Sequence, residues 1–321
     1  MTSTAFVFPG QGSQSVGMGS ALAGSSAAAA AVFAEADAAL GEPISRLAFD
    51  GPADLLDRTE NAQPALLATS IAYLAAIRER SAPNSADLVP AFAAGHSMGQ
   101  YSALVAAEVI SLADGVRLVR ERGRLMQTSG SGREGGMAAI IGLDETHLPE
   151  LVERAGRHGI FGVANRNAPG QVVVSGERAA VEAAADVAKE LGARKVVLLP
   201  VSVAAHSPLM AEAADGMRRA LETVAFRDPK VPLLANADAR VITTGEAARA
   251  ELIDHLTAGV DWVRAVQTMS AAGVTTFIEI GPGRVLTGLI KRIASDATAI
   301  AVDDPTSPDR LAVPFAMAAP A

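Results

Sequence analysis

The sequence predicts an α/β protein in which a parallel sheet covered by helices carries a smaller inserted unit. Three observations support this. Strand-length apolar runs alternate with helix-length segments over the first third of the chain. A Gly/Ser-rich break, SGSGREGG at residues 129–136, then changes the order of elements. After His206 the first rhythm returns.

The elements follow in order. Residues 5–8 read as a strand, residues 21–40 as an Ala-rich helix, residues 64–80 as a helix entered at Pro64, and residues 88–94 as a strand. Beyond the break the order is strand (137–143), helix (147–157), strand (160–164), strand (171–175), helix (178–191) and strand (195–199). This βαββαβ order is that of a ferredoxin-like unit. The α/β rhythm then resumes with strands near 231–235 and 275–280 and helices near 208–224, 247–256, 262–272 and 284–293. The predicted division is a discontinuous large unit, residues 1–130 and 203–321, and a small unit, residues 131–202. The Pro- and Ala-rich residues 306–321 are expected to be loosely held.

Composition removes several function classes. Half of the 321 residues are hydrophobic, which fits a large buried interior. The Ala-rich stretch is interrupted by Ser25, Ser26, Glu35 and Asp37, so it is read as a helix and not as a membrane span. The first residues lack the basic start and long apolar core of an export signal. The absence of cysteine excludes thiol chemistry and fits a cytoplasmic protein. A net charge of -8 argues against nucleic-acid binding. Five scattered histidines show no ligand-spaced pair, so no metal is expected.

Gly95-His96-Ser97-Met98-Gly99 is a G-x-S-x-G sequence between an apolar run and a helical segment. A strand-to-helix reversal of that kind needs small residues on both sides. It projects the serine hydroxyl from the sheet, next to helix N-terminal N–H groups that stabilise developing negative charge. This is the setting of an α/β-hydrolase-like core with Ser97 as nucleophile. The hydroxyl needs a base. His96 should point away from its neighbour, and His147 and His158 fall in the small unit and read as surface residues. His206, displayed where the large unit resumes, is the better candidate; its alternative is a hydrogen-bonded interfacial histidine.

Taken together, several ordered motifs give the chain a specific resemblance. They are FPGQGSQ from Phe8, QPAL from Gln63, GHSMG from Gly95, ERG from Glu121 with Met126 and Gln127, ANRN from Ala164, VSVAAH from Val201 and GPGRVLTG from Gly281. The sequence resembles the malonyl-CoA:acyl carrier protein transacylases of fatty-acid synthesis and their polyketide-synthase acyltransferase relatives. The resemblance implies a cytoplasmic transferase that moves a malonyl group from malonyl-CoA to an acyl carrier protein in two steps, through an ester on Ser97 and with His206 as base. It implies an oxyanion hole from the backbone N–H groups of Gln11 and Met98, and a carboxylate clamp at Arg122. It also implies polar support from Gln63 and Asn165 and a backbone carbonyl at position 255 that orients His206. No cofactor beyond the thioester substrate is implied, and a monomer is expected.

Some positions depart from the family pattern. His255 stands where Gln is common, which opens a side-chain role for Asp254 or His255. Ala205 stands where many malonyl-selective relatives have Phe, leaving room near the acyl α-carbon. A methylmalonyl or larger branched extender is therefore the alternative substrate. A serine thioesterase or other hydrolase is a second alternative, and a non-catalytic docking subunit a third. An acidic carrier needs a basic face on an acidic transferase, for which Lys291, Arg292 and Arg284 are candidates.

Overall fold

The computed structural model describes residues 3–81, 89–129, 134–201, 203–304 and 306. The strands among them are β1 (Ser3–Phe8), β2 (Phe92–Gly95), β3 (Gly135–Ile141), β4 (Phe161–Ala168), β5 (Gln171–Glu177), β6 (Lys195–Leu198), β7 (Leu233–Leu234), β8 (Val241–Ile242), β9 (Val260–Asp261), β10 (Val274–Ile280) and β11 (Thr298–Val302). The helices are α1 (Ser20–Ser25), α2 (Ala27–Leu40), α3 (Ile44–Asp50), α4 (Ala53–Leu56), α5 (Thr59–Ser81), α6 (Gly99–Ala106) and α7 (Leu112–Thr128) in the first part of the chain. They continue as α8 (Leu148–Gly156), α9 (Arg178–Glu190), α10 (Ala211–Glu222), α11 (Gly245–Asp254), α12 (Trp262–Ala271) and α13 (Val285–Ile293).

The larger sheet has the order β11-β10-β1-β2-β7-β8. All its pairings are parallel except the short β7–β8 hairpin. β1 shows why the chain forms this sheet. Phe6 and Phe8 join a core with α2, α5, α6 and α7 on one face, while Ala5 and Val7 join a second core with α12 and α13 on the other. A strand buried on both faces reads as an unbroken apolar run, as FVF does.

The smaller sheet has the order β6-β3-β5-β4-β9. β3 runs antiparallel to β5 and β6, and β5 antiparallel to β4. Ala138, Ile140, Val172 and Val174 pack beneath α8 and α9 as a third core. The βαββαβ order expected for this stretch is present. A fifth strand, β9, comes from the returning chain and pairs parallel with β4.

Two helix expectations also change. The Ala-rich stretch is two helices, because the Ser26 side chain accepts from the Ala29 N–H and caps a new start at Ala27. The helix expected to enter at Pro64 begins at Thr59. Pro64 has no N–H to give the Glu60 carbonyl one turn back, and Arg120 Nη1 donates to that carbonyl instead, at 2.7 Å. The segment read as a strand over 88–94 is β2, with Leu88 outside the described residues, as are 130–133 of the Gly/Ser-rich break and most of 306–321. Among the described residues no helix is long and apolar enough to cross a membrane.

Candidate active site

β2 ends at Gly95 and α6 begins at Gly99, leaving three residues to reverse the chain. A Cβ on Gly95 would lie 1.9 Å from the Gly99 carbonyl carbon, and one on Gly99 would lie 2.2 Å from the Phe8 oxygen. Both neighbours are backbone, so only glycine fits at either flank. Between them Ser97 adopts φ 53°, a left-handed conformation that non-glycine residues occupy at a cost. Its N–H donates to Asn236 Oδ1 at 2.8 Å, and the Asn236 N–H donates to Glu251 Oε1 at 2.6 Å. Gln100 Oε1 accepts from the Gly95 N–H at 3.2 Å while its Nε2 donates to the Leu234 carbonyl at 3.0 Å. The reversal is thus held from β7, the residues that follow it, and α11.

Ser97 Oγ lies 2.8 Å from His206 Nε2. His206 Nδ1 faces two carbonyls, His255 O at 2.7 Å and Ala258 O at 3.2 Å. A carbonyl only accepts, so Nδ1 carries the proton and Nε2 presents its lone pair to the serine. His255 is the C-cap of α11, where helix carbonyls have no intrahelical donor, and Ala258 lies in the segment between α11 and β9. Burial, followed by the positive charge of Arg122, pushes His206 down to about 3. The imidazole is therefore neutral and able to accept a proton across the ordinary pH range.

Arg122 is 1% exposed, unlike Arg117 and Arg124 of the same helix, which face solvent. Its Nη1 donates to Gln63 Oε1 at 2.8 Å, and its Nη2 lies 3.3 Å from both Ser97 Oγ and His255 Nε2. Its guanidinium carbon sits 5.9 Å from the Tyr101 ring centroid. Arg122 forms no ion pair with a carboxylate among the described residues, and its Nε is buried without a hydrogen-bond partner. Burial pulls its pKa down from the ordinary arginine value. A buried cation beside a nucleophile, with no ion-pair partner among the described residues, has the charge and free N–H groups to accept an anionic group.

Other sequence-predicted residues are distributed around this centre. Met98 is fully buried in the main core, which confines its part in the site to the backbone. The Gln11 side chain donates to Thr59 Oγ1 at 3.1 Å. The backbone N–H groups of Gln11 and Met98 have no acceptor among the described residues. His96 points away from the nucleophile, with Nε2 2.9 Å from Asn167 Oδ1 and its ring against Trp262. Asn165 makes no hydrogen bond to Ser97, His206 or Arg122, and its Oδ1 is buried without a partner. Ala205 is half-buried against the main core. Asp254 is exposed at the end of α11.

Lys291 is exposed on α13. The neighbouring cations are engaged internally: Arg284 pairs with Asp303 at 2.6 Å, and Arg292 bonds Gln171 and the Pro169 carbonyl. Sequence reasoning missed Asn236, Glu251 and Gln100, and named Asn167 within the ANRN motif without giving it a role. For Asn236 a signal existed, as a polar residue following the apolar run VPLL marks the C-terminal end of a parallel strand, where α/β sheets build their sites.

An α/β sheet that ends one strand in a strained serine, with a neutral histidine at hydrogen-bond distance, defines the class of enzymes that pass acyl groups through a serine ester. The chain belongs to the family of malonyl CoA-acyl carrier protein transacylases; the acyl transferase domain profile matches residues 5–305. It is 44% identical over 307 residues to the malonyl CoA-acyl carrier protein transacylase of Escherichia coli (strain K12), covering 96% of this chain and 98% of that protein. An acyl-carrier-protein-S-malonyltransferase from Bartonella henselae superposes with TM-score 0.94 at 44% identity, covering 98% of this chain and all of the other. A malonyl-transacylase solved in complex with its type II PKS acyl-carrier protein superposes with TM-score 0.92 at 40% identity, covering 98% of this chain and 100% of that chain. Among the described residues no group of three or more His, Asp or Glu side chains is arranged to hold a metal ion.

Proposed function

We propose that this protein transfers a malonyl group from malonyl-CoA to the phosphopantetheine thiol of an acyl carrier protein through an ester on Ser97. The observation that carries the reading is the unpaired Arg122, buried 3.3 Å from the Oγ that His206 activates. The free carboxylate of a malonyl group supplies the missing anion, and a bidentate pair fixes the thioester carbonyl over Ser97.

In the first half-reaction Ser97 Oγ attacks that carbonyl while His206 Nε2 takes its proton. The resulting oxyanion is received by the N–H groups of Gln11 and Met98, each donor of this kind contributing about 3 kcal/mol. The His255 and Ala258 carbonyls at Nδ1 stabilise the imidazolium, which returns its proton to the leaving CoA thiolate. In the second half, neutral His206 takes the proton of the carrier's thiol, the thiolate attacks the ester, and Ser97 leaves with that proton. Gln63 holds Arg122 in place, and Asn165 supports the acyl chain.

The reading extends to architecture. Residues 1–130 and 203–321 form an α/β-hydrolase-like catalytic unit, and residues 131–202 a ferredoxin-like one, supported by the all-antiparallel order β6-β3-β5-β4. The protein acts as a cytoplasmic monomer without a cofactor of its own, and meets its carrier through the face bearing Lys291, Arg292 and Arg284.

Intact-protein mass spectrometry tests this directly. Malonyl-CoA, methylmalonyl-CoA and acetyl-CoA are offered in competition, and carrier protein is added afterwards. A malonyl adduct on Ser97 that passes to the carrier is expected. A branched adduct moves the substrate assignment to the extender allowed by Ala205, and free acid without transfer moves the protein to the hydrolases.

A further inference from the structure

His255 reaches the site twice. Its carbonyl receives His206 Nδ1–H, and its own imidazole, wholly buried, meets Arg122 Nη2 at 3.3 Å. A guanidinium has only donors, so this contact requires a lone pair on His255 Nε2, and the proton then resides on Nδ1. Nδ1 has no hydrogen-bond partner among the described residues, so no acceptor competes to turn the ring over. The ring is wedged between the Tyr101 and His206 rings, with centroids 6.2 and 5.9 Å away. Burial and the charge of Arg122 both hold its pKa well below the ordinary histidine value.

An inventory of Arg122 shows what the contact does. Each terminal nitrogen carries two N–H groups. Gln63 takes one from Nη1 and His255 one from Nη2. One remains on each nitrogen, and that on Nη2 faces Ser97 Oγ. Two N–H groups on adjacent nitrogens are what a carboxylate accepts side by side. Without the imidazole lone pair, the guanidinium loses one of its three side-chain contacts, and its Nη2 end is held only by Ser97 Oγ, the position the substrate must share.

We propose that the His255 side chain is a positioning residue for acyl selection, fixing Arg122 through its neutral Nε2 so that carboxylate-bearing acyl groups are preferred over simple ones. This rests on the reading of Arg122 as the carboxylate clamp. It places two duties on one residue, with the backbone orienting the base and the side chain orienting the clamp.

The test measures kcat/KM for Ser97 acylation by malonyl-CoA and acetyl-CoA and reads their ratio, which a change in folding or in His206 leaves unmoved. His255→Leu removes the lone pair and keeps the carbonyl, and is expected to lower the malonyl-to-acetyl ratio about tenfold or more, the range for losing a hydrogen bond to a charged group. His255→Gln restores an acceptor and should bring the ratio back to within about threefold of the parent. In an Arg122→Leu background, His255→Leu should leave the ratio where it is. An independent readout is the ¹⁵N spectrum of the imidazole in the unaltered protein, which should show Nδ1 protonated and Nε2 bare. A parent-like ratio in His255→Leu, or a proton on Nε2, overturns the proposal while malonyl transfer by the parent stands. Failure of the parent to form a malonyl ester at all overturns the reading beneath it.

Discussion

Acylation of Ser97 should keep its rate in mild acid. His206 is pushed down to about 3, first by burial and then by the charge of Arg122. An imidazole at the ordinary value of about 6.5 would be only ~3% neutral at pH 5, reducing kcat/KM about 30-fold relative to pH 7.5 or above. One at about 3 stays ~99% neutral at pH 5 and loses almost nothing. The assay is quenched single-turnover acylation by subsaturating malonyl-CoA, followed by intact mass, because kcat/KM reports the free enzyme. A flat profile from pH 7.5 to 5 is expected. An acid limb with its midpoint between about 6 and 7 would refute the reasoning. Arg122→Leu adds a second check: with that charge gone, His206 titrates higher, and acetyl-CoA acylation by the variant should show its acid limb at higher pH than the parent's.

Three further outcomes follow from the supports around the site. Asn236→Ala removes the acceptor of the Ser97 N–H, and should cost about 1–3 kcal/mol in urea unfolding and slow acylation more than it weakens donor binding. Glu251 is raised to about 7 by burial, so the folded state binds its proton more tightly than the unfolded chain, and the stability this contributes is lost as pH rises from about 4.5 through 7. Glu251→Gln keeps the oxygen that accepts from Asn236, so its melting temperature relative to the parent should climb across that window; a constant difference would exclude the effect. Lys291→Glu should slow transfer to an acidic carrier protein while sparing acylation by malonyl-CoA, and equal losses in both half-reactions would remove Lys291 from the docking face.

Most of the fold was legible because its signals are local. The apolar run at residues 5–8 marked β1, and the order of strand- and helix-length segments after the Gly/Ser-rich break marked the βαββαβ succession of β3, α8, β4, β5, α9 and β6. Ser97 was legible because its two flanking glycines report a packing requirement that no other residue satisfies. Arg122 was distinguishable from its helix neighbours only through the resemblance, since burial of one arginine among four is decided by α5 packing across it. Asn236 and Glu251 escaped because their roles exist only once residues 139 positions apart, and then 15 apart, are brought together. The break between α1 and α2 escaped because a single serine cap outweighs the helix preference of the surrounding alanines.

β9 has a mechanical consequence. It begins two residues after Ala258, whose carbonyl receives His206 Nδ1–H, and it is stitched to β4 through Asn165 and Arg166. Displacement of β4 would therefore be passed through β9 to the segment whose carbonyls hold the imidazole, so the position of His206 is coupled to the small sheet.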